Sequence, residues 1–251
     1  MADLLDDWKL YRGDDIRITN KITIRQPTLN EICDVGEWEY LGLIQNMTAT
    51  HMDDNVIVFL DKVGLDFTKI TDWELFRILC SQFNYSVSSL LLKDIDFSTM
   101  QMHRMENDEI ILVNSDGVII DETIYKIIVE AVRKINNLPK PKFTKIMGNE
   151  TQKKMAVDYA KRKVNSAIRR AKLFPQSSFY LPLISSLVNH NGFKYNIEST
   201  HQLKIFQFWY SLKRIQIKDD ADHLYQGLYN GCLDLKNNPS LNKKFDWLRE
   251  A

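Results

Sequence analysis

Ile16-Arg-Ile18-Thr-Asn20-Lys21-Ile22-Thr-Ile24-Arg-Gln-Pro27-Thr28-Leu-Asn-Glu31-Ile32 is the stretch in which the hydrophobic period changes. Ile16 and Ile18, then Ile22 and Ile24, alternate with polar residues, and Asn20-Lys21 supplies a tight turn between them. That pattern predicts an antiparallel hairpin. Pro27 ends it, because proline offers no backbone donor. Thr28 and Glu31 then stand at capping-box spacing, with each side chain able to bond the other's backbone amide. Behind them Leu29, Ile32, Cys33, Gly36, Tyr40, Leu43, Ile44 and Met47 recur at helical spacing, which predicts one helix through the whole run.

The elements that follow keep this mixture. Asp53 or Asp54 is placed to cap a helix through Val56, Phe59, Leu60 and Val63, with Gly64 as its stop. Thr71 and Glu74 form a second capping box ahead of Leu75, Phe76, Ile78 and Leu79. A short β-region is predicted at 96–102. Two further strands, 109–113 and 117–120, flank the turn Asn114-Ser-Asp-Gly117. Asp121 caps a helix whose stripe is Ile124, Ile127, Ile128, Ala131, Val132 and Ile135. This half is therefore α+β, with short strands and about four helices.

From residue 151 on, only helices are predicted. The segment 151–174 has no Gly or Pro and carries a narrow stripe of small residues: Ala156, Ala160, Val164, Ala167 and Ala171. Short side chains there permit close approach by a partner helix. Pro182 suits the first turn of the next helix, which Asn191-Gly192 ends. Asn196 or Ser199 starts another, with Leu203, Phe206, Trp209, Leu212 and Ile215 inward. Asp219, Asp220 and Asp222 suit the start of a last helix reaching Tyr229, where carboxylates meet the positive end of the dipole. The tail is expected to dock through Phe245, Trp247 and Leu248. The expected fold class is α+β, mainly helical, with a small antiparallel β component in the N-terminal half and an all-α C-terminal half.

Charge divides the chain at the same place. Residues 1–138 hold 13 Lys/Arg against 24 Asp/Glu, and residues 139–251 hold 20 against 9, so net charges of −11 and +11 cancel. Leu138-Pro139-Lys140-Pro141-Lys142 at the seam has linker composition. The expected organisation is an acidic α+β domain (1–138), a linker (139–150) and a basic helical domain (151–251). The halves either attract each other or serve different partners.

Composition is globular, with 44% hydrophobic and 26% charged residues. No apolar run approaches the ~18–20 residues of a membrane span. The acidic opening Met-Ala-Asp-Leu-Leu-Asp-Asp has no apolar signal core, so a secreted precursor is not expected. Cys33, Cys80 and Cys232 are too far apart for a metal knuckle and odd in number; buried free thiols are the expectation. The nine glycines make no phosphate-cradling loop, there is no nucleophile elbow, and the five histidines form no H-x-x-x-H pair. His190 and His201 as a folded metal pair, or Asp94 and Asp96 as a nuclease Mg²⁺ site, both lack the further ligands such sites need. No catalytic, metal or cofactor residue is expected, and no enzyme.

The segment 139–172 stands above this background, with 11 Lys/Arg against Glu150 and Asp158. Lys161-Arg162-Lys163 and Arg169-Arg170 are consecutive, so charge wraps the helix. Wrapped charge fits a solvated helix or one lying on an acidic surface. A nucleic-acid helix more often gathers its charge on one side with aromatics interleaved. The candidate binding residues are the stripe Ala156, Ala160, Val164, Ala167 and Ala171 with Lys161, Arg162, Lys163, Arg169 and Arg170. Phe206-Gln-Phe208-Trp209-Tyr210 is expected in the core, because Phe206 and Trp209 share a face with Leu203, Leu212 and Ile215.

Several stretches resemble tail-morphogenesis proteins of tailed bacteriophages infecting Gram-positive bacteria. They are Asp7-Trp-Lys-Leu-Tyr-Arg-Gly13, the run from Ile22 to Ile32, and Gly64-Leu-Asp-Phe-Thr-Lys-Ile70. Gly117-Val-Ile-Ile-Asp-Glu122, His190-Asn-Gly-Phe-Lys-Tyr195 and Phe245-Asp-Trp-Leu248 complete the set. The resemblance implies a product of the region between the tail-tube and tape-measure genes. Such proteins are often tail assembly chaperones that hold the tape-measure protein and recruit tail-tube subunits; others are minor structural tail components. It further implies action in the host cytoplasm during virion morphogenesis, with self-association possible. A nucleic-acid-binding accessory protein using residues 153–172 is the alternative from another class, and a metal-dependent nuclease around Asp94 and Asp96 the third.

Overall fold

The structure, a computed structural model, describes residues 4–141, 149–232 and 239–249. Asp6 caps α1 (Asp7–Arg12), and Gly13, at φ 93°, closes it in the left-handed conformation that glycine tolerates. The hairpin follows as β1 (Ile16–Arg17) and β2 (Thr23–Ile24), with Ile16 opposite Ile24. Thr28 and Glu31 make the capping box at the start of α2 (Leu29–Val35). The continuous helix expected here is interrupted. Gly36 takes φ 114° and ψ 121°, and the chain restarts as α3 (Glu37–Met47). That extended left-handed geometry is available to glycine and strained for other residues.

Next come α4 (Asp54–Lys62), α5 (Asp72–Cys80) behind the Thr71/Glu74 capping box, and a short α6 (Tyr85–Ser88). Asp96 caps a 3₁₀ turn at Phe97–Thr99 instead of lying on a strand. A three-stranded antiparallel sheet is formed by β3 (Gln101–Arg104), β4 (Ile110–Val113) and β5 (Ile119–Ile120), in the order β3-β4-β5. Edge strand β3 is exposed along its length and polar at three of four positions, which discourages pairing with another chain. Asp121 caps α7 (Glu122–Ile135), which buries Tyr125, Ile128, Ala131, Val132 and Ile135.

The second half is helical among its described residues: α8 (Glu150–Leu173), α9 (Tyr180–Val188), α10 (Ile197–His201), α11 (Ile205–Tyr229) and a 3₁₀ turn at Pro239–Lys244. The fold is thus α+β, with small antiparallel sheets confined to the N-terminal half. One expected break is absent. Helix α11 runs through 219–222, where side-chain pairing replaces capping: Asp222 accepts from Lys218 Nζ at 2.6 Å, and Asp219 faces His190 Nε2 at 3.1 Å. The tail lies on this helix. Phe245 packs edge-on to Tyr225, and Arg214 donates to the carbonyls of Trp247 and Arg249.

One core serves both halves. Leu10, Ile24, Tyr40, Phe76 and Ile128 share a buried cluster with Tyr180, Ile205, Phe206 and Phe208. Backbone bonds join the halves directly: Ile205 N–H donates to Pro27 C=O at 2.9 Å and Leu29 N–H to Leu203 C=O at 3.1 Å. The division expected at 139–150 therefore does not appear as a gap in the core, and residues 142–148 of it lie outside the described ones. The charge seam marks a change of surface, whereas apolar packing crosses it. Of the cysteines, Cys80 is buried, and burial pushes its thiol up to about 11; Cys33 and Cys232 are exposed, contrary to the expectation for all three.

Candidate functional site

Helix α8 lies along α4. Val56, Ile57, Val58 and Leu60 of α4 join Ala49, Phe67, Leu75 and Ala160 in a second buried cluster, with Ala156, Val157 and Val164 packed at its margin. Ala160 is fully buried. A side chain this short lets two helices pack closely. Three lysines beside the stripe bind acids of the first half: Lys163 to Asp54 at 2.6 Å, Lys161 to Asp61 at 2.7 Å and Lys153 to Asp66 at 2.8 Å. Lys153 and Asp66 lie at one end and Lys163 and Asp54 at the other, so the segments run antiparallel. Hydrogen bonds to these carboxylates raise all three ammonium pKa values. Lys153, then Thr68, holds the Asp66 carboxyl well below its ordinary value.

This contact uses half of α8. Helix α4 has 9 residues and α8 has 24. At 1.5 Å per residue these span about 14 and 36 Å. Beyond Val164 the stripe continues exposed, with no described residue burying it. Ala167 and Ala171 are exposed, Ile168 is half-exposed, and Leu173 and Phe174 are 74% and 71% exposed. The sequence-derived candidates thus divide: Ala156, Ala160, Val164, Lys161 and Lys163 serve the intramolecular contact, while Ala167, Ala171, Arg169 and Arg170 do not. Arg162 donates to the Asp158 carbonyl at 3.3 Å on the side away from α4.

A groove of about 830 Å³ opens where α8 leaves α4. One wall is the α3 face Trp38, Leu41, Gly42 and Gln45; the other is Val164 and Ala167 of α8. Phe179, Leu138 and, at the start of α4, Asp53 and Asp54 also line it. Gly42 is notable. A Cβ there would meet no atom of the described residues within 4 Å, so none of them calls for glycine in the middle of this helix. Arg133, also lining the groove, donates to the carbonyls of Pro139 and Thr48.

The groove is held in shape by Glu37, the first residue of α3. Its Oε2 accepts from Ser178 Oγ and from the backbone amides of Phe179 and Tyr180, each at 3.0 Å. The N-cap residue of α9, Phe179, has no capping side chain; Ser178 Oγ accepts from Leu181 N–H at 2.9 Å, and Glu37 adds a carboxylate cap from the other half. Trp38, Gly42, Phe179 and Glu37 were not legible as site residues. The one local signal was glycine inside a helical run, which is ambiguous on its own.

The alternative constellations are not assembled. Among the described residues no group of three or more His, Cys, Asp or Glu is placed to hold a metal ion. His190 pairs with Asp219 and not with His201. Phe208 and Trp209 pack with Tyr180, so the aromatic run is core. No helix among the described residues is long and apolar enough to cross a membrane.

The geometry defines a mainly helical α+β chain with an open apolar groove beside a basic helix. Residues 181–250 match the family model of the YomV second domain, a phage-derived family of the Bacillus phage SPBeta type, so the likeness of that segment is to a phage protein. No curated protein and no solved structure matches the chain. The matched segment begins in α9, after the basic helix and away from the 139–150 seam.

Proposed function

We propose that the chain is a non-enzymatic assembly protein of a phage tail, a chaperone that holds a helical segment of the tape-measure protein, with tail-tube subunits as a second client. The observation that carries this is the half-used face of α8: the first half of its stripe is docked on α4, and the second half is exposed, with Ala167 lining an open apolar groove. A groove between helices is a setting in which amphipathic helices are bound. The phage likeness of residues 181–250 and the resemblance of several stretches to tail-morphogenesis proteins support the client. Work on nascent tail components belongs in the host cytoplasm.

Co-expression with the tape-measure protein encoded beside it tests this. The expected outcome is a tape-measure protein that stays soluble and co-purifies. A tape-measure protein that is soluble alone and never co-purifies contradicts the proposal.

One observation favours the nucleic-acid alternative. Once Lys153, Lys161 and Lys163 are paired, Lys154, Arg162, Arg169, Arg170 and Lys172 remain exposed without an ion-pair partner among the described residues. Duplex DNA bound with a steep salt dependence tied to these residues would favour that function over the first.

A further inference from the structure

The contact between α4 and α8 contains its own pattern of recognition. Ala160 and Val164 supply the close surface, and Lys163 beside them takes the α4 carboxylate of Asp54. Seven residues on, two helical turns, the pattern recurs: Ala167 and Ala171 replace Ala160 and Val164, and Arg170 replaces Lys163. Lys172 stands on the other flank, eleven residues after Lys161, and eleven residues is close to three whole turns. In the first copy every cation meets an acid of this chain. In the second neither Arg170 nor Lys172 does, among the described residues. The first copy is filled by α4; of the second, Ala167 lines the groove, while Ala171, Arg170 and Lys172 are exposed beyond it.

We infer that the distal half of α8, with the α3 wall of the groove, binds a second helix of the α4 type from another protein: a short amphipathic helix with an apolar face and acidic flanks. The inference rests on the assembly-protein proposal for its biological client, but the surface stands on its own chemistry. Two features specify the occupant. The distal face continues the α4 contact along the same helix, so the helix it accepts is antiparallel to α8. The uncompensated cations select carboxylates, since two opposite charges close to a surface attract and two like charges repel. Gly42 on the opposite wall leaves room for a large side chain of that helix where this chain supplies none.

The probe is a fluorescently labelled, stapled peptide with the α4 sequence from Asp53 to Val63, titrated onto the full chain and read by anisotropy. Binding is expected, weakening with salt. Ala167→Trp and, from the other wall, Gly42→Leu should each weaken it by about tenfold or more, as overpacking a close contact does. Melting temperature is measured beside each variant; Ala167→Trp should leave it unchanged and Gly42→Leu should leave it unchanged or raise it, because both positions face open space and leucine is the better helix former. Arg170→Glu should lose the peptide and recover binding to one carrying Asp54→Lys.

No binding, equal binding to Ala167→Trp and Gly42→Leu, or equal affinity of Arg170→Glu for both peptides would overturn the inference. The two proposals fail separately. Peptide binding with this dependence but no tape-measure capture leaves the surface and removes the client. Tape-measure capture that Ala167→Trp leaves undiminished removes the surface and leaves the client.

Discussion

Tyr40 and Tyr180 are both buried, and burial raises the pKa of both phenols, yet their hydroxyls stand in opposite situations. Tyr40 donates to Asn136 Oδ1 at 2.8 Å, and Asn136 in turn donates to the Val132 carbonyl. The Tyr180 hydroxyl has no hydrogen-bond partner among the described residues. Tyr40→Phe should therefore cost about 1 kcal/mol or more, while Tyr180→Phe should be neutral or stabilising, measured by urea denaturation. Glu37→Ala should cost about 0.5–2 kcal/mol, the loss of a helix cap. Gly42→Ala should raise stability by up to about 1 kcal/mol, because alanine costs less to order in a helix and meets no neighbour. Local partners of this kind were legible in part. Thr28 with Glu31 and Thr71 with Glu74 were readable from three-residue spacing. Glu37 capping α9 was not, since about 140 residues separate the partners and no spacing rule reaches so far.

Helix α8 is where stripe and surface separate. Ala160→Leu should lower stability by about 1–3 kcal/mol, because the added carbons enter a filled contact. Ala167→Leu should leave the denaturation midpoint unchanged, because that position is exposed. Equal losses at both positions would show that the whole stripe is core. The Asp66 carboxyl, depressed by Lys153 and Thr68, adds a pH dependence. A depressed carboxylate contributes stability above its unfolded pKa and loses it as pH falls through its folded value. Wild type should thus lose more stability below about pH 4 than Asp66→Asn does. Element type was readable wherever a stripe was long, as in α7 and α8. Boundaries failed where tertiary contacts overrode local preference. The acids at 219–222 read as a helix start, but Lys218 and His190 pair with two of them, and α11 continues. Gly36 fitted a helical period yet holds a conformation that splits α2 from α3.

At the scale of the molecule, charge and packing give different partitions. The seam near 139 divides a −11 half from a +11 half, but Phe206 and Phe208 share a core with Leu10 and Tyr40. A chain nicked by trypsin at Lys142, the first seam lysine not followed by proline, should consequently stay together in high salt, since apolar burial survives the screening that shortens charge interactions to ~3 Å at 1 M. Fragments that part on raising salt would show that the halves are held by charge alone. The unit joined by this core presents one wide apolar opening beside a basic helix. The groove was invisible in the sequence because its walls come from α3 and α8, more than 100 residues apart. Hydrogen exchange of the full chain with and without the tape-measure protein tests the central claim most directly. Protection is predicted in α3 around Trp38–Gln45 and in α8 from Val164 to Leu173, with no change in the tail around Phe245; protection confined to other surfaces, or none with the client bound, would contradict it.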